Sequence, residues 1–436
     1  MTIREVPASI GQRLLWMMDR RLARDAALNE PLVWRLRGPL DAAALRLALT
    51  RLTQRHEALR TIFTTRRRRL MQVIADESEI DVAWSDVSGT ADPEAAAWHA
   101  LHADLLIPVD PVSCPLRAAM WRIRDDDHLF CVNMHHLVTD GWSAVVISRE
   151  LDMLYRQITT GGPELPPVGW QYAQWTQWQE QRLTGERLQR LREYWARQLS
   201  GAQVPELPIA DPGRLDTMRS GTALEHAHEH AYIEPHVVRA LDGIGRSHRT
   251  TRFGVMLAVY YALLHRVTGQ RDLAVASLFA NRTRPEVART VGFFVNLLIV
   301  RARLPAAATF DDLVRETRGT VLGAMLHQEL PYQMLPPFTV QGTFLRPDNV
   351  VFQVVEKPVE APGSSALRIE PVERFARTRF AIELALVPES DGLTALLLYA
   401  SEVFDRGWAR KFLDDYVAFA AMVAAAPDLP LNELAA

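Results

Sequence analysis

The sequence predicts a protein of mixed α-helix and β-strand, divided into two domains. Three observations lead there. The chain has 436 residues, which suits two domains of ordinary size. Apolar residues recur at spacings of three and four in some segments, and as short runs bounded by turn residues in others, the marks of helix and strand respectively. The break Gly161-Gly162-Pro163-Glu164-Leu165-Pro166-Pro167 interrupts the pattern with residues that stop both. A new aromatic helix starts just beyond it, and the division is placed there, as 1–176 and 177–436.

Composition narrows the class. Hydrophobic residues make up 48% and charged residues 23%, as in a soluble globular protein with a substantial core. The net charge of -3 supplies no global basic field, so nucleic acid is not an expected partner. Lysine occurs only at Lys357 and Lys411, and arginine carries the remaining positive charge. Of the two cysteines, Cys131 lies in an apolar run, which predicts a buried thiol rather than a disulfide and a reducing compartment. The N-terminus lacks the apolar stretch of a signal peptide, and no run approaches the ~20 apolar residues of a membrane span. A cytoplasmic monomer without a membrane partner is expected.

The elements follow in order. Residues 8–17 read as a short amphipathic helix. Asp41 is a good N-cap for a long helix whose Leu45, Leu49, Leu52, His56 and Leu59 share one face. Arg66-Arg67-Arg68-Arg69 sits between strand-like 61–65 and 70–74, and reads better as a solvated hairpin tip than as a phosphate patch. Residues 92–105 are helical. Strands 116–123 and 128–134 pair around Asp125-Asp126-Asp127, and a helix covers 142–156. Later, His226, His228 and His230 fall on one strand face. That spacing could hold a metal, but no cysteine or carboxylate cluster matches it, and an exposed strand face is simpler. An apolar helix spans 253–267, with Gly269 as its C-terminal cap, and a strand spans 273–279.

The rest is organised around Phe130-Cys131-Val132-Asn133-Met134-His135-His136-Leu137-Val138-Thr139-Asp140-Gly141-Trp142. An apolar strand ends in two histidines, a tight loop and a helix start, where a rigid scaffold often aims catalytic groups. Neighbours on a strand point to opposite faces, so one histidine is structural and the other available to act. Histidine exchanges protons near neutral pH. Asp140 could pin the loop by an ion pair. Gly141 permits a backbone conformation that a Cβ would forbid, and an amide beside it could meet a developing oxyanion. Spacing alone leaves open a satisfied core histidine or a fragment of a metal site.

His135-His136-Leu137-Val138-Thr139-Asp140-Gly141 resembles the HHxxxDG motif of the condensation domains of nonribosomal peptide synthetases, shared with the chloramphenicol acetyltransferase superfamily. Other segments resemble that family in its order. Ser9–Met17 is similar to SxAQxRLWxL, and Arg55–Phe63 matches RHExLRTxF at every fixed position. Glu193–Gly201 with Leu207–Pro212 is similar to YWxxxLxG…LPxDxP. Asn281–Glu286 and Gly292–Leu297 resemble NRxxxE and GxFVNT, with Leu297 in place of threonine. His327–Tyr332 resembles HQDxPF, and Arg346–Val355 matches the last motif in part.

The resemblance implies an α/β fold of two chloramphenicol-acetyltransferase-like lobes arranged as a V with a central active-site tunnel, 1–176 carrying the HHxxxDG loop. It implies acyltransferase activity: amide bond formation between a carrier-protein-bound acyl or peptidyl thioester and an amine acceptor. The chain itself would bind no cofactor. The 4'-phosphopantetheine arm would come from donor and acceptor carrier proteins. His136 would position the nucleophile and take its proton, His135 would support the loop, and Asp140 would pair with Arg282 across the lobes. The N–H beside Gly141 would be the oxyanion donor. Arg282, Asn296 and Arg60 are expected to be structural. Three alternatives stay open: a free-standing acyltransferase with a soluble amine or alcohol acceptor, an epimerisation domain, and a catalytically silent partner-recruiting domain.

Overall fold

The computed structural model describes residues 3–21, 26–77, 80–210, 225–305, 308–336, 347–355, 366–372 and 378–433. Asp211 and Pro212 of the inter-lobe segment and Arg346 of the last motif lie outside the described residues. Two compact units emerge: one comprises 1–182, 280–295 and 358–375, the other 183–279, 296–357 and 376–436. The sequence predicts a single contiguous division at 176. The units instead exchange chain twice more, because 280–295 and 366–372 pack with the first unit's residues, a long-range outcome that local composition does not encode.

The first unit contains β1 (Ile3–Pro7), α1 (Ile10–Arg21), β2 (Asn29–Arg37), α2 (Ala42–Arg55), β3 (Thr61–Arg66), β4 (Arg69–Ala75) and β5 (Val82–Asp86). It continues with α3 (Pro93–Leu105), β6 (Leu116–Arg124), β7 (Asp127–His135), α4 (Gly141–Thr160) and α5 (Tyr172–Arg182). β12 (Arg368–Pro371) pairs antiparallel with β2. One sheet runs β1-β4-β3 and the other β12-β2-β7-β6-β5.

β7 is the central strand of the larger sheet, and all nine of its residues are buried. Its alternation sends Leu129 and Cys131 into a cluster with Ala97, Leu101 and Leu105 of α3. It sends Phe130, Val132 and Met134 into a second cluster with Leu45 and Leu49 of α2 and Ile147 and Leu151 of α4. A strand covered on both faces reads as a continuous apolar run, as Leu129–Val132 does. Cys131 is a free, buried thiol, and burial pushes its pKa up.

Local signals hold where they are strongest. Asp41 caps α2 by accepting from the Ala44 amide, and Asp92 caps α3 in the same way. The arginine run is the tip of a two-residue hairpin. Arg66 pairs with Arg69, and Arg67 and Arg68 carry φ of 48° and 64°. Turns of this hand favour asparagine and glycine, because a Cβ strains the left-handed region. The double substitution Arg67→Asn, Arg68→Gly is expected to raise stability by about 1 kcal/mol, read as a higher urea midpoint at unchanged slope.

The RHExLRTxF segment ties helix to sheet. His56 donates through Nε2 to Glu150 Oε2 at 2.7 Å, and Arg55 Nε reaches the same oxygen at 2.8 Å. His56 Nδ1 lies 3.4 Å from the Val291 amide, so the end of α2, the middle of α4 and segment 280–295 meet at one buried carboxylate. Burial works to raise the Glu150 pKa, but the hydrogen bonds and charges of His56 and Arg55 outweigh it and hold the carboxyl below its ordinary value. Glu150→Ala is expected to cost about 3–5 kcal/mol, since it strands two partners in the interior. A folded pKa below the unfolded one adds stability that is present at neutral pH and fades as pH falls through the folded value. The gap in urea midpoint between wild type and Glu150→Gln should therefore narrow only once pH drops below about 4.3.

The second unit contains α6 (Gly185–Leu199), β8 (His226–Ile233), α7 (Pro235–Ser247), α8 (Arg252–Thr268), β9 (Asp272–Phe279), β10 (Asn296–Arg303) and α9 (Phe310–Leu326). It ends with β11 (Val350–Val354), β13 (Ile382–Pro388), β14 (Leu393–Ala400) and α10 (Arg406–Ala425). Its sheet runs β10-β9-β11-β13-β14-β8. α8 is buried from Gly254 through Leu264 and closes on Gly269, whose φ is 71° and whose amide donates to His265 O. His226, His228 and His230 lie on the edge strand β8, with His228 and His230 exposed. No group of three His, Cys, Asp or Glu able to hold a metal occurs among the described residues. No described helix is long and apolar enough to cross a membrane.

Candidate active site

The two histidines leave β7 in different directions. His135 is the last strand residue, opposite Asn29 of β2. His136 opens a single 3₁₀ turn, His136–Val138. Backbone and neighbours then settle their tautomers. The Leu137 amide donates to His135 Nδ1 at 3.1 Å, so the proton of the neutral ring is on Nε2, which faces Asp19 Oδ1 at 3.3 Å. His136 has the reverse arrangement. Its Nδ1 lies 2.9 Å from the Thr139 carbonyl. A carbonyl only accepts, so Nδ1 carries the hydrogen and Nε2 of the neutral ring keeps its lone pair. The edge of Phe293 packs on the His136 ring, with centroids 5.1 Å apart and planes at 80°. The His136 Nε2 faces Glu30 Oε1 at 3.4 Å, and a ring held in this way in its neutral form can accept a proton from a bound nucleophile.

Asp140 is engaged on both oxygens. It caps α4 by accepting from the Ser143 amide at 2.8 Å, and Oδ1 lies 3.2 Å from Arg282 Nη2. Oδ2 accepts from the amides of Phe294 at 2.9 Å and Val295 at 3.2 Å. Arg282 donates to the carbonyls of Val287 and Thr290, both at 2.7 Å, and to Ser143 Oγ at 2.9 Å. Its guanidinium stacks over Phe294. Burial lowers the Arg282 pKa, opposed by Asp140. The Asp140–Arg282 pair forms, but within one unit rather than across lobes as the resemblance implied, because Arg282 lies in segment 280–295, which belongs to the first unit.

Gly141 departs from expectation. It is the first residue of α4 and is not among the described glycines with positive φ, so left-handed freedom is not its use. As the first helical residue its N–H has no intrahelical carbonyl, and the helix dipole adds positive potential there. The other two supporting residues are apart from the loop. Arg60 donates to the Ala75 carbonyl at the end of β4. Asn296, in the second unit, donates to the carbonyls of Gln328 and Leu330, both at 2.8 Å, and accepts from the Tyr332 amide at 3.1 Å. It clamps its own loop.

Several participants leave no such signal in the sequence. Gln12 and Ser9 cap each other at the start of α1, and Gln12 Nε2 holds the Leu137 carbonyl at 2.9 Å. The buried Tyr172 hydroxyl donates to the Phe293 carbonyl at 2.7 Å. Glu30 stands beside His136. Gln12 and Phe293 lie inside segments that resemble family motifs, yet nothing local ties them to a histidine far along the chain.

A model of the condensation domain matches residues 2–436. The chain belongs to the condensation-domain family. This condensation domain is 32% identical over 409 residues to nonribosomal peptide synthetase kk1B of Curvularia clavata, covering 92% of the chain and 3% of that protein. It is 32% identical over 440 residues to phosphinothricin tripeptide synthetase PhsC of Streptomyces viridochromogenes, covering 98% of the chain and 40% of that protein. The domain thus spans a minor part of these relatives. In fold it is similar to the condensation domain from the monacolin K polyketide synthase MokA, with a TM-score of 0.84 at 23% identity over 99% of this chain and 100% of that one. The mixed α/β fold is that of known condensation-domain structures, the chloramphenicol-acetyltransferase-like fold.

Proposed function

We propose that this condensation domain forms an amide bond between an acyl or peptidyl thioester, presented on the phosphopantetheine arm of a carrier protein, and an amine acceptor. The observation that carries the reading is the His136 ring at the end of β7, fixed at Nδ1 by the Thr139 carbonyl at 2.9 Å and with Nε2 3.4 Å from Glu30 Oε1. The amine nitrogen attacks the thioester carbonyl carbon, the C–N bond forms and charge gathers on the oxygen. The C–S bond then breaks and the arm leaves as a thiol. His136 positions the amine, takes a proton from it and returns that proton to the departing sulfur. The Gly141 amide at the start of α4 is the donor for the oxyanion. His135 supports the loop, and Asp140 with Arg282 holds its shape. Bringing both reactants to one site makes the step effectively unimolecular.

The test loads an acyl group onto a carrier protein and offers soluble and carrier-tethered acceptors, with product mass spectrometry and His136→Ala as control. His136-dependent amide formation on a tethered aminoacyl acceptor is the expected result. Transfer to soluble acceptors alone would replace the elongating role with a free-standing acyltransferase. Exchange of an α-hydrogen without transfer would replace it with epimerisation. No His136-dependent chemistry at all would leave partner recruitment.

A further inference from the structure

Gly11 is the second residue of α1, and it breaks a local rule there. Glycine weakens a helix relative to alanine. Gly11 is not among the described glycines with positive φ, so its backbone does not require the missing side chain. Where a chain departs from its own local preference, a functional reason is expected. Here the reason lies in the space that a methyl group would take. A Cβ on Gly11 would stand 3.0 Å from Phe293 Cε1 and 3.4 Å from Phe293 Cδ1. That ring is the one packed edge-on against His136, with centroids 5.1 Å apart. All three residues belong to the first unit.

The backbone on both sides of this contact is held in place. The Tyr172 hydroxyl donates to the Phe293 carbonyl at 2.7 Å and lies 2.8 Å from the hydroxyl of Ser9, just ahead of Gly11. Ser143 Oγ donates to the Gly292 carbonyl at 2.9 Å and accepts from the Gly292 amide at 3.0 Å. The Phe294 amide donates to Asp140 at 2.9 Å. Residues 292, 293 and 294 are thus fixed one after another, and the start of α1 is tied to the same tyrosine. A methyl group at position 11 would find room only by turning the Phe293 ring. The hydrogen bond from Nδ1 to the Thr139 carbonyl anchors one atom of the His136 imidazole, which still leaves the ring free to tilt. The edge of Phe293 removes that freedom.

We propose that Gly11 and Phe293 act together as a positioning pair for His136. The missing side chain at Gly11 seats the Phe293 ring, and the seated ring sets the plane in which His136 meets the bound nucleophile. The pair is a feature of this chain: SxAQxRLWxL has alanine where Gly11 stands, and GxFVNT leaves the position of Phe293 open. The proposal rests on the reading of His136 as the group that takes the proton.

The test is a double-mutant cycle of Gly11→Ala and Phe293→Leu in the full chain, since leucine lacks the Cε1 atom that the new methyl would meet. Single-turnover acyl transfer from a loaded carrier protein reads the rate. Nitrogen-15 NMR of the His136 imidazole reads its Nδ1–H tautomer without turnover. Gly11→Ala is expected to slow transfer about tenfold, short of the 10²-fold scale of a 1 Å misplacement, and to lower the share of the Nδ1–H tautomer. In the Phe293→Leu background the same change should cost less than about twofold, because contacting residues do not contribute additively. A Gly11→Ala variant that leaves either the rate or the tautomer ratio unchanged overturns the proposal. So does an equal loss in both backgrounds, which a methyl acting elsewhere on α1 would give. The two readings fail separately. A tautomer shift that Phe293→Leu relieves, in a protein without His136-dependent transfer, upholds the positioning and removes the proposed reaction. His136-dependent transfer with additive losses does the reverse.

Discussion

Replacing His136 with alanine is expected to lower kcat/KM for amide formation by roughly 10²- to 10⁴-fold, the range for loss of a positioned general base. The Nε2 lone pair exists because the Thr139 carbonyl holds the Nδ1 hydrogen at 2.9 Å, so removing the ring removes both the base and its aim. Part of the effect is packing, since Phe293 loses its edge-to-face partner, a contact worth about 0.5–1.5 kcal/mol. His136→Gln separates the two contributions by keeping bulk and losing the base. Single-turnover transfer from a loaded carrier reads the chemical step directly. A His136→Gln variant within a few-fold of wild type would remove histidine from the reaction. His135→Ala should behave differently. His135 accepts from the Leu137 amide and faces Asp19, so its loss should lower stability along with turnover.

The second large effect concerns stability. Asp140→Ala is expected to destabilise the first unit by about 3–5 kcal/mol, because it leaves the Arg282 guanidinium as an unpaired charge in the interior. The side chains of the pair are 1% and 4% exposed, so water cannot take the carboxylate's place. The same change deletes the cap of α4 and orphans the amides of Phe294 and Val295, costs that overlap with the first rather than add to it. Urea unfolding with a midpoint close to wild type would refute this account. The double variant Asp140→Ala, Arg282→Met removes both charges and should recover part of the loss, since deleting a buried pair costs far less than breaking one.

Much of this domain is legible without any coordinates. The caps at Asp41 and Gly269, the arginine hairpin and the strand-loop-helix at 130–142 rest on interactions within a few residues. Adjacent positions at a strand's end also separate the two histidines, although which of them acts is given by the resemblance and not by the pleat. Gly141 does not take the backbone its position suggests, because a glycine at a loop end is compatible with either hand, and only the helix beginning there decides between them.

The sequence by itself determined the elements, their caps and turns, and the residue types that meet at the end of β7, since these depend on short-range period and backbone chemistry. The tertiary structure alone decided which distant atoms complete the site. It returned 280–295 to the first unit so that Arg282 closes on Asp140, and it set the β2–β7 register that brings Glu30 to His136. Such meetings arise from register and packing between segments far apart in the chain, and a side chain's nearest partner across a sheet leaves no mark on its neighbours in sequence.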